Sequence, residues 1–178
     1  LKQQQRPFYK DLDQRIAAVN GGKATTAITP ASSSVSTHAA VAATTSKGEL
    51  SDVDEYQKAS TLLANKQYDQ AQAAYQSYLK DYPQGKFVAN AHYWLGELYL
   101  VKKDQSHALS EFNTVVKDYS SSAKVSDSEY KIALIKMSAG DTSEAKQRFQ
   151  PIKAKFPNST AAQLASIKLQ QIAVTDDG

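Results

Sequence analysis

Asn90-Ala91-His92-Tyr93-Trp94-Leu95-Gly96-Glu97-Leu98-Tyr99-Leu100 is the stretch on which the fold turns. Its apolar and aromatic residues recur at helical spacing, and a glycine sits among them with no turn residue beside it. A shift of the chain by 37 residues accounts for that glycine. Gly96 falls on Ala59 and Ala133, Tyr93 on Tyr56 and Tyr130, and Leu100 on Leu63 and Met137. Downstream, Ala108 falls on Ala71 and Ala145, Phe112 on Tyr75 and Phe149, and Tyr119 on Tyr82 and Phe156. Small, aromatic and long apolar classes thus coincide in three copies, the mark of a chain built from stacked supersecondary units.

Each copy reads as two helices. First helices are expected over 51–65, 88–102 and 125–138, and second helices over 68–81, 105–118 and 142–155. Pro83 and Pro157 end two of the second helices, because proline cannot continue a helix interior; Ser120 stands at the third position. Gly140 and the pair Asn65-Lys66 mark tight turns inside the pairs, and Asp141 or Thr142 can cap the helix that follows. The small residues Ala59, Gly96 and Ala133 let the partner helix approach, answered by Ala71, Ala108 and Ala145. No pair buries a full core alone, so the pairs must stack. A further amphipathic helix over 159–173, with Leu164, Ile167, Leu169 and Ile172, is placed to cover the last pair as a terminal cap. The fold class is therefore all-α: a right-handed solenoid of three helix pairs and a C-terminal capping helix, occupying residues 50–175.

Upstream, the character changes. Residues 24–46 hold Ala, Ser or Thr at 18 of 23 positions and no aromatic. Such a segment cannot bury enough apolar surface to offset the entropy of ordering it, and residues 21–49 read as a flexible linker. Residues 1–20 read as the end of a coiled-coil helix, with Leu1, Phe8, Leu12 and Val19 at heptad-like spacing and Gly21-Gly22 as its stop. The absence of an initiating Met points to a processed or truncated product; no signal peptide is visible, though one can already have been removed from a precursor.

Composition narrows the function. The chain has no cysteine, which removes disulfides and thiol nucleophiles. The net charge is +3, but residues 51–178 carry 15 basic and 15 acidic side chains, so the repeats lack the basic stripe of a nucleic-acid binder. No run approaches the roughly 20 apolar residues of a membrane span. The three histidines, His38, His92 and His107, fit no metal-ligand spacing, and their expected roles are solvated or structural. The seven glycines are scattered and form no phosphate loop, and there is no nucleophile elbow. Asp52, Asp54 and Glu55 read as favourable charge at a helix N-terminus. No catalytic site, metal or cofactor is expected.

At Leu95-Gly96, Tyr99, Ala108 and Phe112 the pattern resembles the tetratricopeptide repeat. The third copy departs from it at Lys136, where an aromatic is usual. Within that group the chain resembles the cell division coordinator CpoB / Tol-Pal system protein YbgF family. The resemblance rests on the run Asn90-Ala91-x-Tyr93-Trp94-Leu95-Gly96-x-Leu98, on the phrase Lys80-Asp81-Tyr82-Pro83, and on the layout of Asp11-Leu12-Asp13-x-Arg15, linker, repeats and cap. It implies a periplasmic, non-catalytic adaptor that binds TolA and coordinates peptidoglycan synthesis with outer-membrane constriction at division. It also implies contact with the cell-wall synthesis machinery and a homotrimer formed through an upstream coiled coil. The alternative is a repeat scaffold of another envelope system, such as outer-membrane protein assembly.

In stacked helix pairs the first helices line the concave surface. Tyr56, Tyr93 and Tyr130 share one line along it, with Asn90, Glu97, Leu100, Leu134 and Met137 on the same stripe. Two readings of the tyrosines stand: anchors for a protein ligand, or packing between repeats.

Overall fold

The computed structural model describes residues 42–176 of the chain. Seven helices follow one another: α1 (Ala42–Ala64), α2 (Tyr68–Asp81), α3 (Val88–Val101), α4 (Gln105–Asp118), α5 (Val125–Ser138), α6 (Thr142–Lys155) and α7 (Thr160–Asp176). The pairs α1/α2, α3/α4 and α5/α6 are the three copies, and α7 is the cap. Together they form a tetratricopeptide-like solenoid, with no strand among the described residues.

One expected boundary moves. The first helix begins at Ala42, so residues 42–49 of the expected linker belong to a helix. Once 51–64 is packed the nucleus is in place, and the proline-free stretch Ala42–Leu50 extends it, although Gly48 costs about 1 kcal/mol relative to alanine. This also alters the reading of Asp52, Asp54 and Glu55, which stand mid-helix rather than at an N-terminus. The coiled-coil end expected over 1–20, and residues 21–41 of the linker, lie outside the described residues.

The same local chemistry closes each pair. Lys66, Lys103 and Gly140, spaced by 37, all take a left-handed backbone, with φ of 61°, 62° and 88°. Each is the turning residue of one hydrogen-bond motif: Lys66 N–H donates to Leu63 O and Gln67 N–H to Leu62 O; Lys103 and Asp104 do the same to Leu100 and Tyr99; Gly140 and Asp141 to Met137 and Lys136. The orphaned carbonyls of the first helix are satisfied this way. Asp104 and Asp141 then cap the second helices, accepting from His107 N–H at 3.1 Å and Glu144 N–H at 2.9 Å. The His107 N–H bond holds the Asp104 carboxyl below its ordinary pKa. This cap is therefore at full strength above the usual carboxylate range and weakens as pH falls through it.

Between pairs the turns also repeat. Tyr82, Tyr119 and Phe156 end the second helices, and their carbonyls accept from Gly85, Ser122 and Ser159. In the first copy this turn is held by a buried polar latch. Tyr78 Oη donates to Asp52, Lys86 N–H donates to the same carboxylate at 3.0 Å, and Phe87 N–H donates to Tyr78 Oη at 3.0 Å. Burial, then donation to Asp52, pushes the Tyr78 hydroxyl well above the usual tyrosine pKa. A Cβ on Gly85 would meet Tyr78 Oη at 2.5 Å and Asp52 at 2.8 Å, so only glycine fits against the latch.

Inside each pair one aromatic contact recurs. Tyr56 meets Tyr75, Tyr93 meets Phe112 and Tyr130 meets Phe149, with centroids 5.8, 5.6 and 5.6 Å apart. Ala59, Gly96 and Ala133 are buried beneath these rings, as are Ala71, Ala108 and Ala145. The cap α7 seals the last pair through Ala161, Ala162, Ala165 and Ile172, which join Tyr130, Ala133, Phe149 and Ile152 in one cluster. Leu164 and Leu169 pack against that cluster. Ile167, expected on the sealing face, is exposed, because the face that meets the preceding pair uses the small alanines instead.

Two outcomes follow for stability. A Cβ on Gly96 would lie 2.6 Å from the Phe112 ring, so Gly96→Leu should destabilise the chain by about 1–3 kcal/mol or more, read as a lowered midpoint in urea. Lys103→Gly removes a left-handed strain of about 1 kcal/mol and should raise the midpoint, whereas Gly140→Lys should lower it by a similar amount. An unchanged midpoint for both turn variants would contradict the geometry.

Candidate protein-binding face

The stripe expected on the first helices divides in two. Tyr56, Tyr93 and Tyr130 are buried, at 4%, 0% and 8% exposure. Asn90, Glu97, Leu100, Leu134 and Met137 are half-buried. The tyrosines thus form a floor, and the other five residues offer the reachable surface.

What covers the tyrosines is a second regularity, at a spacing of 31. Phe87 stacks on Tyr56 with centroids 4.5 Å apart. The Lys124 ammonium sits 5.0 Å from the centre of the Tyr93 ring and 5.5 Å from that of Trp94. Ala161 shares the buried cluster of Tyr130. In each case the residue within one position of the next helix start, 31 positions on, packs with the tyrosine of the preceding copy. Lys124 is itself only 5% exposed, with its ammonium 3.9 Å from Asp127. A cation there tolerates burial because the ring faces and the carboxylate replace part of its hydration.

Two polar ties link successive first helices. Trp94 Nε1–H donates to Tyr56 Oη at 3.1 Å, from α3 to α1. Lys131 Nζ donates to Glu97 at 2.8 Å, from α5 to α3. Glu97 therefore already has a cation beside it. The residues at these two tie positions, Trp94 and Lys131, are themselves 37 apart; the register signals the common job, although the side chains share no chemistry. Sequence reasoning missed Lys124 and Lys131 because both read as ordinary surface lysines.

Leu134 and Met137 pack against the cluster that contains the cap residues, so the C-terminal end of the stripe is continuous with α7. Leu100 and Asn90 lie on α3, away from that cluster. The surface so defined is apolar at Leu100, Leu134 and Met137, has one free-standing amide at Asn90, and has its charges matched in pairs.

The histidines lie elsewhere. His92 Nδ1 is 2.6 Å from Glu111, tying α3 to α4, and His107 stacks on Tyr99 with centroids 5.1 Å apart. Among the described residues no three His, Asp or Glu side chains gather where a metal could sit. No described helix is long and apolar enough to cross a membrane.

Two family models match the chain, both described as tetratricopeptide repeat, over residues 56–123 and 127–159. A segment of 47 residues, 26% of this chain, is 40% identical to the cell division coordinator CpoB of Pseudomonas putida, strain KT2440. A second Pseudomonas putida protein of the same name matches equally. That segment spans 18% of the length of these curated relatives. Among solved structures, the chain is similar to the first tetratricopeptide domain of Spaghetti (RPAP3) bound to an HSP90 peptide, with a TM-score of 0.56 and 16% identity, covering 71% of this chain and 94% of that one. The Yersinia enterocolitica chaperone SycD, in complex with a peptide of the translocator YopD, is similar at TM-score 0.57 and 15% identity over 69% and 92%. The second such domain of human RPAP3, with an HSP70 peptide, gives 0.54 and 15% over 70% and 96%. At these identities the likeness is one of fold.

The burial pattern predicts how the tyrosines respond to truncation. Tyr93→Ala should cost about 3–5 kcal/mol of stability, as aromatic truncations in cores do, because it empties the space between Phe112, Trp94 and Lys124. A urea titration followed by circular dichroism measures this. A stable Tyr93→Ala variant would contradict the burial.

Proposed function

From the premise that the chain belongs to the tetratricopeptide-repeat family, we propose that it is a non-catalytic adaptor whose first-helix face docks a segment of a protein partner. One observation carries the reading: in-register, half-buried apolar residues, Leu100 and Met137, with Leu134 beside them, lie above a floor of buried tyrosines. A rigid floor with reachable apolar side chains lets a ligand bury area without first ordering the site. Asn90 supplies an amide that can both donate to and accept from a ligand backbone. The peptides named for the similar structures support a peptide as the ligand class. Two of those peptides, SRMEEVD and SGPTIEEVD, carry acidic runs. Here Lys131 is engaged by Glu97, and Lys124 is buried over its rings. A segment with apolar side chains is therefore the better fit.

The partner we assign is TolA, and the setting is the periplasm. There the chain coordinates peptidoglycan synthesis with outer-membrane constriction at division and contacts the cell-wall synthesis machinery. The similarity to the cell division coordinator CpoB supports this, together with the run Asn90-Ala91-x-Tyr93-Trp94-Leu95-Gly96-x-Leu98. Trimerisation through a coiled coil preceding the repeats belongs to the same reading.

Isothermal titration of the full chain with the periplasmic part of TolA tests the proposal. Leu100→Glu sets a charge on the half-buried centre of the face and should weaken binding by about thirtyfold. Asn90→Ala should weaken it less, and Lys117→Ala, exposed on α4, should leave it unchanged. Circular dichroism should stay unaltered throughout. Absence of wild-type binding would remove TolA as the partner, and normal binding by Leu100→Glu would move the site off the first helices.

A further inference from the structure

The charge of the repeats balances in sum but not in place. The second helices α2 and α4 each carry one base and two acids: Lys80 with Asp69 and Asp81, and Lys117 with Glu111 and Asp118. On α6 the balance reverses, with Lys146, Arg148, Lys153 and Lys155 against the single acid Glu144. A shift of 37 lays Arg148 and Lys155 on Glu111 and Asp118, and Lys146 and Lys153 on Leu109 and Val116. Each base thus stands where α4 has an acid or an apolar residue. The helix dipole accounts for Lys153 and Lys155, which lie in the last turn, but not for Lys146 and Arg148.

The four bases are arranged about one ridge. Ala145, Phe149 and Ile152 bury one side of α6 in the cluster that holds Tyr130 and Ala133 of α5. On the opposite side Gln147, Gln150 and Ala154 are exposed and uncharged. Lys146 and Lys153, seven residues apart, flank that ridge on one side, and Arg148 and Lys155 flank it on the other. Glu144 is shared by Lys136 at 3.0 Å and Arg148 at 2.8 Å, and Glu129 lies 3.6 Å from Lys155. Three bases therefore share two carboxylates, and Lys153 adds an exposed charge. We propose that this outward side of α6 is a second docking surface, separate from the first-helix face, for a short acidic segment of a protein partner.

Charge complementarity sets the sign of the partner, and the extent of the patch sets its length. The 14 residues of α6 span about 21 Å, which about seven extended residues would cover. A nucleic acid or an anionic membrane would run past this helix onto Glu111 and Asp118 of α4, and would meet Glu129 and Glu144 inside the patch. A polypeptide can set carboxylates against the bases and backbone N–H groups against those glutamates. Gln147 and Gln150 can donate to and accept from its backbone. The ridge points away from α5, so a partner here and one on the first-helix face can be held at once.

The probe is a capped ten-residue peptide of alternating Glu and Gly, labelled with fluorescein, titrated with the full chain at low salt and followed by anisotropy. Saturable binding is expected, falling as salt is added. The triple variant Arg148→Gln/Lys153→Gln/Lys155→Gln should weaken it by about fivefold or more. Lys58→Gln/Lys80→Gln/Lys117→Gln removes as many exposed charges away from α6 and should leave binding close to that of the parent. Leu100→Glu, which weakens docking on the first-helix face, should leave it unchanged, so the two readings fail separately. Both triple variants should keep the parent's circular dichroism, as all six positions are exposed. Vesicles of equal parts phosphatidylglycerol and phosphatidylcholine should not sediment the chain. Absence of saturable binding, equal loss in the two triple variants, or sedimentation with the vesicles would overturn the proposal.

Discussion

Everything in the repeat region depends on how closely the two helices of a pair can approach. Ala59, Gly96 and Ala133 set that distance on the first helices, and Ala71, Ala108 and Ala145 set it on the second. With no side chain at Gly96, the Phe112 ring lies where a Cβ would stand. Packing at this density leaves no slack for an added methylene. The tyrosine of the first helix can then meet the aromatic of the second at a tilt of 59°, 58° and 50°, and this contact recurs in all three pairs. A looser pair would present a different curvature to its neighbour and would lose the stacking that no single pair can replace.

Stacking is then completed by unlike chemistry in equivalent places. The tyrosine of one copy is closed by Phe87, Lys124 or Ala161 of the next. The turn between copies is held by a carboxylate and a phenol at Asp52 and Tyr78, whereas Val115 and Ile152 stand at the position of Tyr78 in the other two copies. Polar solutions of this kind are costly if half satisfied, and the first latch is fully engaged: both carboxylate oxygens and the tyrosine hydroxyl have partners. The backbone repeats faithfully because its turns repeat bond for bond, and the side chains vary because each inter-copy contact needs only shape and satisfied polarity.

For function, the consequence is a face with a fixed floor and a soft rim. The buried tyrosines hold the first helices in place and present Leu100, Leu134 and Met137 at constant spacing. The ties Trp94–Tyr56 and Lys131–Glu97 run across the copies and resist the splaying that a bound segment would otherwise cause.

Much of this was legible in the residues alone. The 37-residue register, the helix pairs, their turns at Lys66 and Gly140, the Asp141 cap and the terminal cap helix all follow from periodicity and turn chemistry, which are local. Local signals end helices well, because a left-handed residue or a proline acts where it stands. They start helices less well, and α1 grows back to Ala42 through Gly48, because Ala42–Leu50 holds no proline to end it. The fate of the stripe was beyond local reach. Whether Tyr93 is an anchor or a floor depends on Lys124, which is far along the sequence and, to local pattern, a surface lysine. Likewise Ile167 reads as core by spacing, yet it is exposed, because the face of α7 that meets the preceding pair is built from Ala161, Ala162, Ala165 and Ile172. The sequence by itself determined the repeat, its period and the helices that compose it; the tertiary structure alone decided which of their residues face outward, because exposure is set by neighbours that the chain brings together only on folding.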